Sequence, residues 1–494
     1  MKYDCLVIGG GISGMTSAII MAKKGYHTAI LEKSHSLGPT IRGFERQGLF
    51  FDTGFHYTGG FNNGEPLDVF FRYLGLSDKL EKRPLDEEGF DSFRCLQPAF
   101  EFLFPYGYDR IREKLAQVFK KDLAAIDIYL KTVRKIYNSQ PYIKLDIRMD
   151  SGLGSVHGAS LKTFLDDITG NEMLKCVLSM HYLLYGVLPD EAPFALHAIV
   201  AGSYYESANS VKGGGLALAN AFQTRLQEIG VDTYCGSEVT EICLLNDNSV
   251  SGVRCGEDEI LYCQKCVSTI HPQALIKILP DSAFRPFYRK RVQTLEDTFS
   301  ALIVYAKSSQ LLDTLDRTNF FLFPEMALRN TEMSGPIEEN PMFIARARAD
   351  DGKMQQDGCI IICPTPHLRS ESRTTLFEET NSLDYDSLKN HLGRAIIAHV
   401  ENSYPELEGK LTIADCATPL TLQKITNSPF GSLYGVKHKI DQYNPLPLTK
   451  IKNLVLAGQS IIAPGVFGAT TSGFLACGSI LGHDTIIKEL RQCL

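Results

Sequence analysis

Residues Tyr3 to Glu32 read YDCLVIGGGISGMTSAIIMAKKGYHTAILE, and the fold follows from this stretch. Cys5-Leu6-Val7-Ile8 is a short apolar run, the signature of a buried parallel strand. Gly9, Gly11 and Gly14 follow in G-x-G-x-x-G spacing, and a helix is predicted from about Ile12 to Lys24. Lys23 and Lys24 lie in its last turn, where positive charge suits the helix dipole, and Gly25 can supply a left-handed stop. A second strand, Thr28 to Leu31, ends on Glu32. Gly9 permits the tight turn, Gly11 lets the backbone approach a pyrophosphate, and Gly14 lets helix pack on strand. The helix start, at Ile12 and Ser13, presents free amides and a positive dipole end to phosphate. Glu32 is placed to accept hydrogen bonds from a ribose, and its charge disfavours a 2′-phosphate, hence NADP. A lone glycine pattern is weak evidence and fits any α/β turn. Here strand, glycines, helix, second strand and acid stand in register within about 30 residues, which predicts a dinucleotide site.

The chain has 494 residues, enough for about two to four domains. Net charge is 50 − 57 = −7 and no basic block occurs, which argues against a nucleic-acid partner. The 13 cysteines are scattered without framework spacing, as expected in a reducing compartment. Cys263 and Cys266 form a single C-x-x-C in a strand-rich stretch with no second ligand pair, so they are expected to be structural and no metal site is expected. The longest apolar stretch, Leu454 to Leu481, carries five glycines and a proline. It reads as a buried strand and helix rather than a membrane span. No signal or transit segment is legible at the start, so the expected location is cytoplasmic, with peripheral membrane contact allowed.

Beyond the first unit, Leu67 to Pro193 reads mostly helical, with helices predicted over Asp109–Tyr137, Leu161–Ile168 and Glu172–Tyr185. Val177 to Tyr185 is apolar nearly all round, either a core helix or a wall of an oily channel. Gly213-Gly214-Gly215 opens a helix to about Glu228. Strands are predicted at Val231–Tyr234, Glu238–Leu244, Val250–Cys255, Ile260–Cys263 and Val267–Ile270. Short apolar runs at Ala301–Tyr305, Phe320–Phe323, Met342–Ala345 and Ile360–Ile362 suggest a sheet roofing a second domain, followed by a helix over Asp384–Asn402. A strand at Asn453–Ala457 then leads through Gly458-Gln459 into a small-residue helix entered at Pro464-Gly465-Val466-Phe467-Gly468.

Gly48 to Gly60 reads GLFFDTGFHYTGG. Together with the glycine-rich start and the Leu31-Glu32-Lys33…Leu37-Gly38-Pro39-Thr40 loop, it resembles the phytoene desaturase superfamily of FAD enzymes, nearest the retinol saturase and carotenoid isomerase branch. Lys212–Pro272 and Thr418–Gly482 also resemble that family. In Gly38-Pro39-Thr40 the family's second glycine is replaced, and Arg42 stands two positions later than the arginine of related flavoenzymes. The resemblance implies a Rossmann-type α/β FAD-binding domain of the glutathione-reductase-like, amine oxidase/phytoene desaturase kind. It implies a discontinuous α+β substrate domain beside it. The expected boundaries are 1–66, 205–290 and 425–494 for the first, and 67–204 and 291–424 for the second. The cofactor residues so expected are Gly9, Gly11, Ile12, Ser13, Gly14, Glu32, Lys33, Gly38, Thr40, Val239, Gly458, Gln459, Gly465, Val466 and Gly468.

The implied reaction is flavin hydride transfer that saturates, desaturates or isomerises carbon–carbon double bonds of a hydrophobic polyene or isoprenoid-like substrate. The electron partner would be a soluble nicotinamide, a quinone, a carrier protein or oxygen. His56 and Tyr57 are the polar groups expected near the ring, as an imidazole and a phenol able to exchange protons. Their plain alternative is to hold the turn at Gly54 to Gly60. An amine-oxidase-like enzyme would want an aromatic cage. Tyr434 offers half of one, and Trp is absent from the chain. A lipid binder like the Rab escort and dissociation-inhibitor proteins shares the architecture without flavin, and the intact glycine set with Glu32 argues against it.

Overall fold

Strand β1 (Lys2–Ile8), helix α1 (Ile12–Lys23) and strand β2 (Thr28–Glu32) form where the glycine-rich stretch puts them. The computed structural model describes residues 2–146, 158–256, 259–326, 333, 336–347, 357–366 and 385–494. β1 pairs in parallel with β2 on one side and with the strand Glu259–Ser268 on the other. Asp232–Cys235 extends the sheet beyond β2 in the same direction. Past Glu259–Ser268 the strands Val250–Cys255 and Val239–Leu244 turn antiparallel, and Leu454–Leu456 returns from the far end of the chain to pair with Cys266–Ser268. β1 is buried from Cys5 onward, which is why it reads as an unbroken apolar run.

Glu259–Ser268 is one continuous strand where the sequence pattern suggests two. Cys263 and Cys266 are buried among aliphatic side chains, behave as small hydrophobes, and leave the ladder uninterrupted. α1 and the helix Gly465–Leu481 cross closely on one face of this sheet. A Cβ at Gly473 would fall 2.7 Å from Thr16 Cγ2, so only a residue without a side chain permits the crossing.

A second seven-stranded sheet carries Asp91–Gln97 and Phe100–Phe104 at one edge, then Asn319–Glu325, Met342–Arg346, Asp357–Thr365, Ser300–Ser308 and Leu411–Ala417. Only the pairing of Asn319–Glu325 with Asp91–Gln97 is parallel. The helix Tyr385–Ser403 follows; Asp384, the start expected for it, lies outside the described residues. A small three-stranded sheet of Thr58–Gly59, Ala208–Val211 and Lys82–Pro84 bridges the two regions.

The segment expected as one helix over Asp109–Tyr137 is two, Tyr108–Val118 and Leu123–Asn138. Between them Phe119 is buried and the Asp122 carboxylate accepts from Thr169 Oγ1 and Asn171 Nδ2, which fixes a corner that periodicity does not register. Likewise Glu172–Ser179 is α-helical and Met180–Leu184 tightens into a 3₁₀ turn. The side chains between this helical layer and the second sheet form one aromatic-rich core, in which Phe93, Phe104, Tyr129, Tyr205 and Phe321 are fully buried. Burying a side chain of that size contributes about 1.5–3 kcal/mol.

Candidate functional site

The turn after β1 is built so that a helix end can press against it. A Cβ at Gly14 would lie 1.9 Å from the Gly9 carbonyl oxygen, so this position tolerates no side chain. At Gly11 the opposite holds: a Cβ there meets no heavy atom within 4 Å, and the backbone at φ −73°, ψ −177° is ordinary extended geometry. Gly11 is thus not needed for packing. It leaves the approach to the start of α1 clear, where the first amides of the helix lack intrahelical partners.

The other expected cofactor residues gather round this turn. The Glu32 carboxylate is buried and accepts from the Gly10 amide at 2.6 Å and the Ser34 amide at 2.7 Å, which holds it at the end of β2 beside the glycine turn. Gly38 donates its amide to the Gly10 carbonyl at 2.8 Å. The Thr40 carbonyl takes the Thr53 hydroxyl at 2.7 Å, so the loop is tied to the FDTG segment. Ser237 donates its amide to the Glu32 carbonyl, which brings Val239 to the same edge. Lys33 is exposed and pairs with Glu238 at 2.8 Å. Arg42 donates to the Leu37 carbonyl and to Asn220 and Gln223, so it braces the loop.

The C-terminal segment closes the ring. Ser13 Oγ donates to the Ala469 carbonyl at 2.7 Å, across 456 positions of sequence. Gly458 donates its amide to Ser472 Oγ at 2.9 Å, and the Gln459 carbonyl accepts from His438 Nε2 at 3.0 Å. Burial lowers the His438 pKa, so that imidazole stays neutral and donates through one fixed nitrogen. Gly465, Val466 and Gly468 form the first turn of Gly465–Leu481, and a Cβ at Gly465, like one at Gly11, would meet nothing within 4 Å. The starts of α1 and of Gly465–Leu481 therefore meet. The buried hydroxyl of Thr470, one residue beyond Ala469, has no hydrogen-bond partner of its own. These features suit the diphosphate and polyhydroxyl chain of a flavin dinucleotide.

Asp52 of the FDTG segment is fully buried, and its Oδ1 accepts the Gly215 amide at 2.8 Å. It caps the helix Gly214–Glu228 and locks the segment carrying His56 and Tyr57. A Cβ added at Gly60, at the end of that segment, would stand 3.8 Å from the Phe467 ring at the start of the C-terminal helix. The His56 ring lies 5.6 Å from Phe343, and the Tyr57 ring stacks on Phe343 at 6.1 Å and lies 4.9 Å from Tyr204. Tyr57 Oη donates to Asp91 Oδ2 at 2.8 Å. Burial first, and the Asp91 charge second, push the Tyr57 pKa well above the ordinary phenol range, so this phenol stays protonated.

Two residues here escape sequence reading. Asp91 opens a strand of the second sheet and is fully buried, and Oδ2 also meets His181 Nε2 at 3.0 Å while Oδ1 accepts from Asn319 Nδ2 at 3.0 Å. His181 lies inside the apolar run Val177–Tyr185, and 90 positions separate it from Asp91. No local spacing links them. The one available signal is a histidine within a stretch that is otherwise core. Tyr434 donates its hydroxyl to the Leu183 carbonyl at 2.9 Å, so it is tethered to the helical layer and does not form an open cage wall. Among the described residues no cluster of three or more His, Cys, Asp or Glu is placed to hold a metal ion, and no helix is long and apolar enough to cross a membrane.

Residues 7–74 match a family model described as an NAD(P)-binding Rossmann-like domain. The chain is 26% identical to an all-trans-retinol 13,14-reductase of Danio rerio, over 98% of this chain and 87% of that protein. It is 24% identical to the Homo sapiens protein of the same name, over 99% and 87%. A 4,4'-diapophytoene desaturase (4,4'-diaponeurosporene-forming) of Staphylococcus haemolyticus is 22% identical, over 92% of this chain and 93% of that one. Among solved structures, an oxidoreductase from Methanosarcina mazei superposes with a TM-score of 0.67 at 15% identity, covering 96% and 99% of the two chains. A putrescine oxidase bound to putrescine does so at 0.67 and 14%, covering 97% and 99%. These likenesses establish the α/β architecture with its Rossmann-like unit.

Proposed function

We propose, for a chain that fits the phytoene desaturase superfamily nearest its retinol saturase branch, that it is an FAD-dependent oxidoreductase acting on carbon–carbon double bonds of a polyene or isoprenoid-like substrate. The observation that carries this reading is the Ser13–Ala469 junction, which brings two helix starts together, with Thr58–Gly59, directly after Tyr57, packed on the second of those helices.

In this reading Gly11, Ile12, Ser13, Gly465 and Gly468 receive the diphosphate, Glu32 the adenosine ribose, Val239 the adenine edge, and Gly458–Gln459 and Val466 the ribityl chain and ring. Gly9 and Gly14 shape the turn, and Lys33, Gly38 and Thr40 shape the loop. A bound flavin supplies the hydride chemistry at the double bond. The protein's own share is to bind and orient the cofactor, to exclude water with the Phe90, Phe104, Phe321 and Phe343 layer, and to hold a proton at Tyr57 Oη, with His56 beside it. The nucleotide unit takes 1–66, 205–290 and 425–494, and the substrate unit takes 67–204 and 291–424.

In this reading the substrate is a greasy molecule with few polar groups. The relatives named for retinol and diapophytoene work on substrates of that character. Electrons pass to or from a soluble nicotinamide or a quinone, and the protein works in the cytoplasm with peripheral contact at a membrane. An amine-oxidase-like reading is weaker, because Tyr434 is committed to Leu183 and the chain holds no Trp.

The test is anaerobic incubation of the FAD-loaded protein with all-trans-retinol or 4,4'-diapophytoene, with flavin redox state and polyene products followed together. A change in double-bond count coupled to flavin oxidation or reduction is expected. An FAD-loaded protein that oxidises putrescine and leaves both polyenes untouched would move the function to amines.

A further inference from the structure

We infer that Asp91 and His181 are positioning residues that make Tyr57 the proton donor and acceptor of the reaction. The inference rests on the function proposed above and adds to it the source of the proton. Asp91 sits at the first residue of its strand with no exposed surface, in a layer of phenyl and phenol rings. A carboxylate taken that far from water is costly unless it is paired and hydrogen-bonded. Asp91 makes three contacts: Tyr57 Oη, His181 Nε2 and Asn319 Nδ2. His181 is the one member of this set able to carry positive charge, and it too is fully buried.

The His181 ring stacks at 6.0 Å on Phe90 and 6.2 Å on Tyr204, and meets the rings of Phe104, Tyr205 and Phe321. The titratable groups around the set are Tyr57, Tyr204 and Tyr205, with Tyr434 beyond Tyr57 and His197 beyond His181. No lysine or arginine hydrogen-bonds or ion-pairs with Asp91 or His181 among the described contacts. Tyr57 Oη and His181 Nε2 both meet Asp91 Oδ2, so the three side chains form one hydrogen-bonded unit. His181 Nδ1 is buried without a partner, which costs about 1–3 kcal/mol. A cluster serving only to fill space has no need of such a group.

Tyr57 directly precedes Thr58–Gly59, which packs against the helix Gly465–Leu481, and a Cβ at Gly60 would stand 3.8 Å from the Phe467 ring at the start of that helix. In the saturating direction a bound two-electron-reduced flavin would supply a hydride, with its electron pair, to one alkene carbon. The Tyr57 O–H bond breaks as a C–H bond forms at the neighbouring carbon. Because burial and the Asp91 charge oppose a phenolate, Oη takes a proton by way of Asp91 Oδ2 in the same step, and a doubly protonated His181 loses its Nε2 proton and is left neutral. Desaturation runs the same transfers backwards.

The experiment compares holoenzyme of wild type, Asp91→Asn, Tyr57→Phe and the double variant. FAD content, Tm, kcat and KM are read with all-trans-retinol and 4,4'-diapophytoene as probes. Asp91→Asn keeps the shape and an acceptor for Tyr57 and turns its amide to Asn319, whose unpartnered Oδ1 can swing round to accept it, but removes the shared charge. Expected are unchanged FAD content, unchanged or raised Tm, unchanged KM, and kcat lower by about 100-fold. The double variant is expected to be no slower than the slower single one, since members of one unit do not add. Full turnover in Asp91→Asn, additive losses, or a loss that merely tracks falling Tm and FAD content would overturn the inference. A wild type that holds FAD and transforms neither probe removes the function it rests on. The Tm comparison still decides then: destabilisation by Asp91→Asn marks the cluster as structural, and a neutral or stabilising effect marks it as kept for function.

Discussion

Gly11→Ala and Gly14→Ala separate a residue kept for a ligand from one kept for packing. At Gly14 the new methyl would stand 1.9 Å from the Gly9 carbonyl oxygen and 3.1 Å from its carbon, both backbone atoms that cannot swing away. α1 must then lift off the turn, and a loss of several kcal/mol follows, in the range of about 1–3 kcal/mol for overpacking, or more where backbone has to move. At Gly11 the methyl meets nothing, and the backbone dihedrals already suit alanine. Replacing glycine gains about 0.4–1 kcal/mol because the unfolded chain loses freedom, and at this N-cap position the gain is offset by the poorer capping of alanine. The same methyl points into the approach to the start of α1 and holds a diphosphate away from the helix amides. A tenfold weaker affinity for each 1.4 kcal/mol lost is the scale, and a loss of about one to two decades is expected. Thermal unfolding of the apoprotein and FAD titration by flavin fluorescence read the two effects separately. Gly11→Ala should unfold near the wild-type temperature yet bind FAD weakly, while Gly14→Ala should lose both. Wild-type FAD affinity in Gly11→Ala, or equal destabilisation by the two substitutions, would refute the reasoning.

Three further outcomes are expected. Glu32→Gln turns an acceptor into an amide facing the Gly10 and Ser34 N–H groups, and should cost about 1–3 kcal/mol in unfolding free energy as well as FAD affinity. Asp52→Ala removes the acceptor at the start of Gly214–Glu228 and should lower stability by about 0.5–2 kcal/mol in chemical denaturation. Burial, then the neighbouring His181, hold the His197 pKa down to about 3, against about 6.5 in an unfolded chain. Across that window the unfolded state binds the extra proton. Stability should therefore fall as pH drops below about 6.5, by up to about 1.4 kcal/mol per pH unit, and His197→Gln should flatten that slope in pH-dependent unfolding curves.

The nucleotide unit is legible because its chemistry is local. Gly9, Gly11, Gly14 and Glu32 lie within one strand–helix–strand span, and each spacing has a single physical use. The return of Leu454–Leu456 to β1's sheet is legible only through resemblance, since nothing in residues 454–456 says which strand they will join. The corner at Phe119–Asp122 escapes periodicity because Asp122 is fixed by Thr169 and Asn171, more than 40 positions later. The Asp91–His181 pair escapes for the same reason: burial and pairing are properties of the folded chain, and a lone aspartate beside Phe90 reads as a strand start. His56 and Tyr57 stand out in sequence, but the carboxylate that governs Tyr57 does not.

The central claim is that the two ends of the chain grip one FAD. It is tested most directly by titrating purified apoprotein with FAD while recording flavin absorbance and fluorescence, for wild type beside Gly11→Ala. The wild type should take up one FAD per chain with quenched fluorescence, and the variant should need a much higher concentration. A wild-type protein that stays colourless and leaves FAD fluorescence unchanged at every concentration would contradict it.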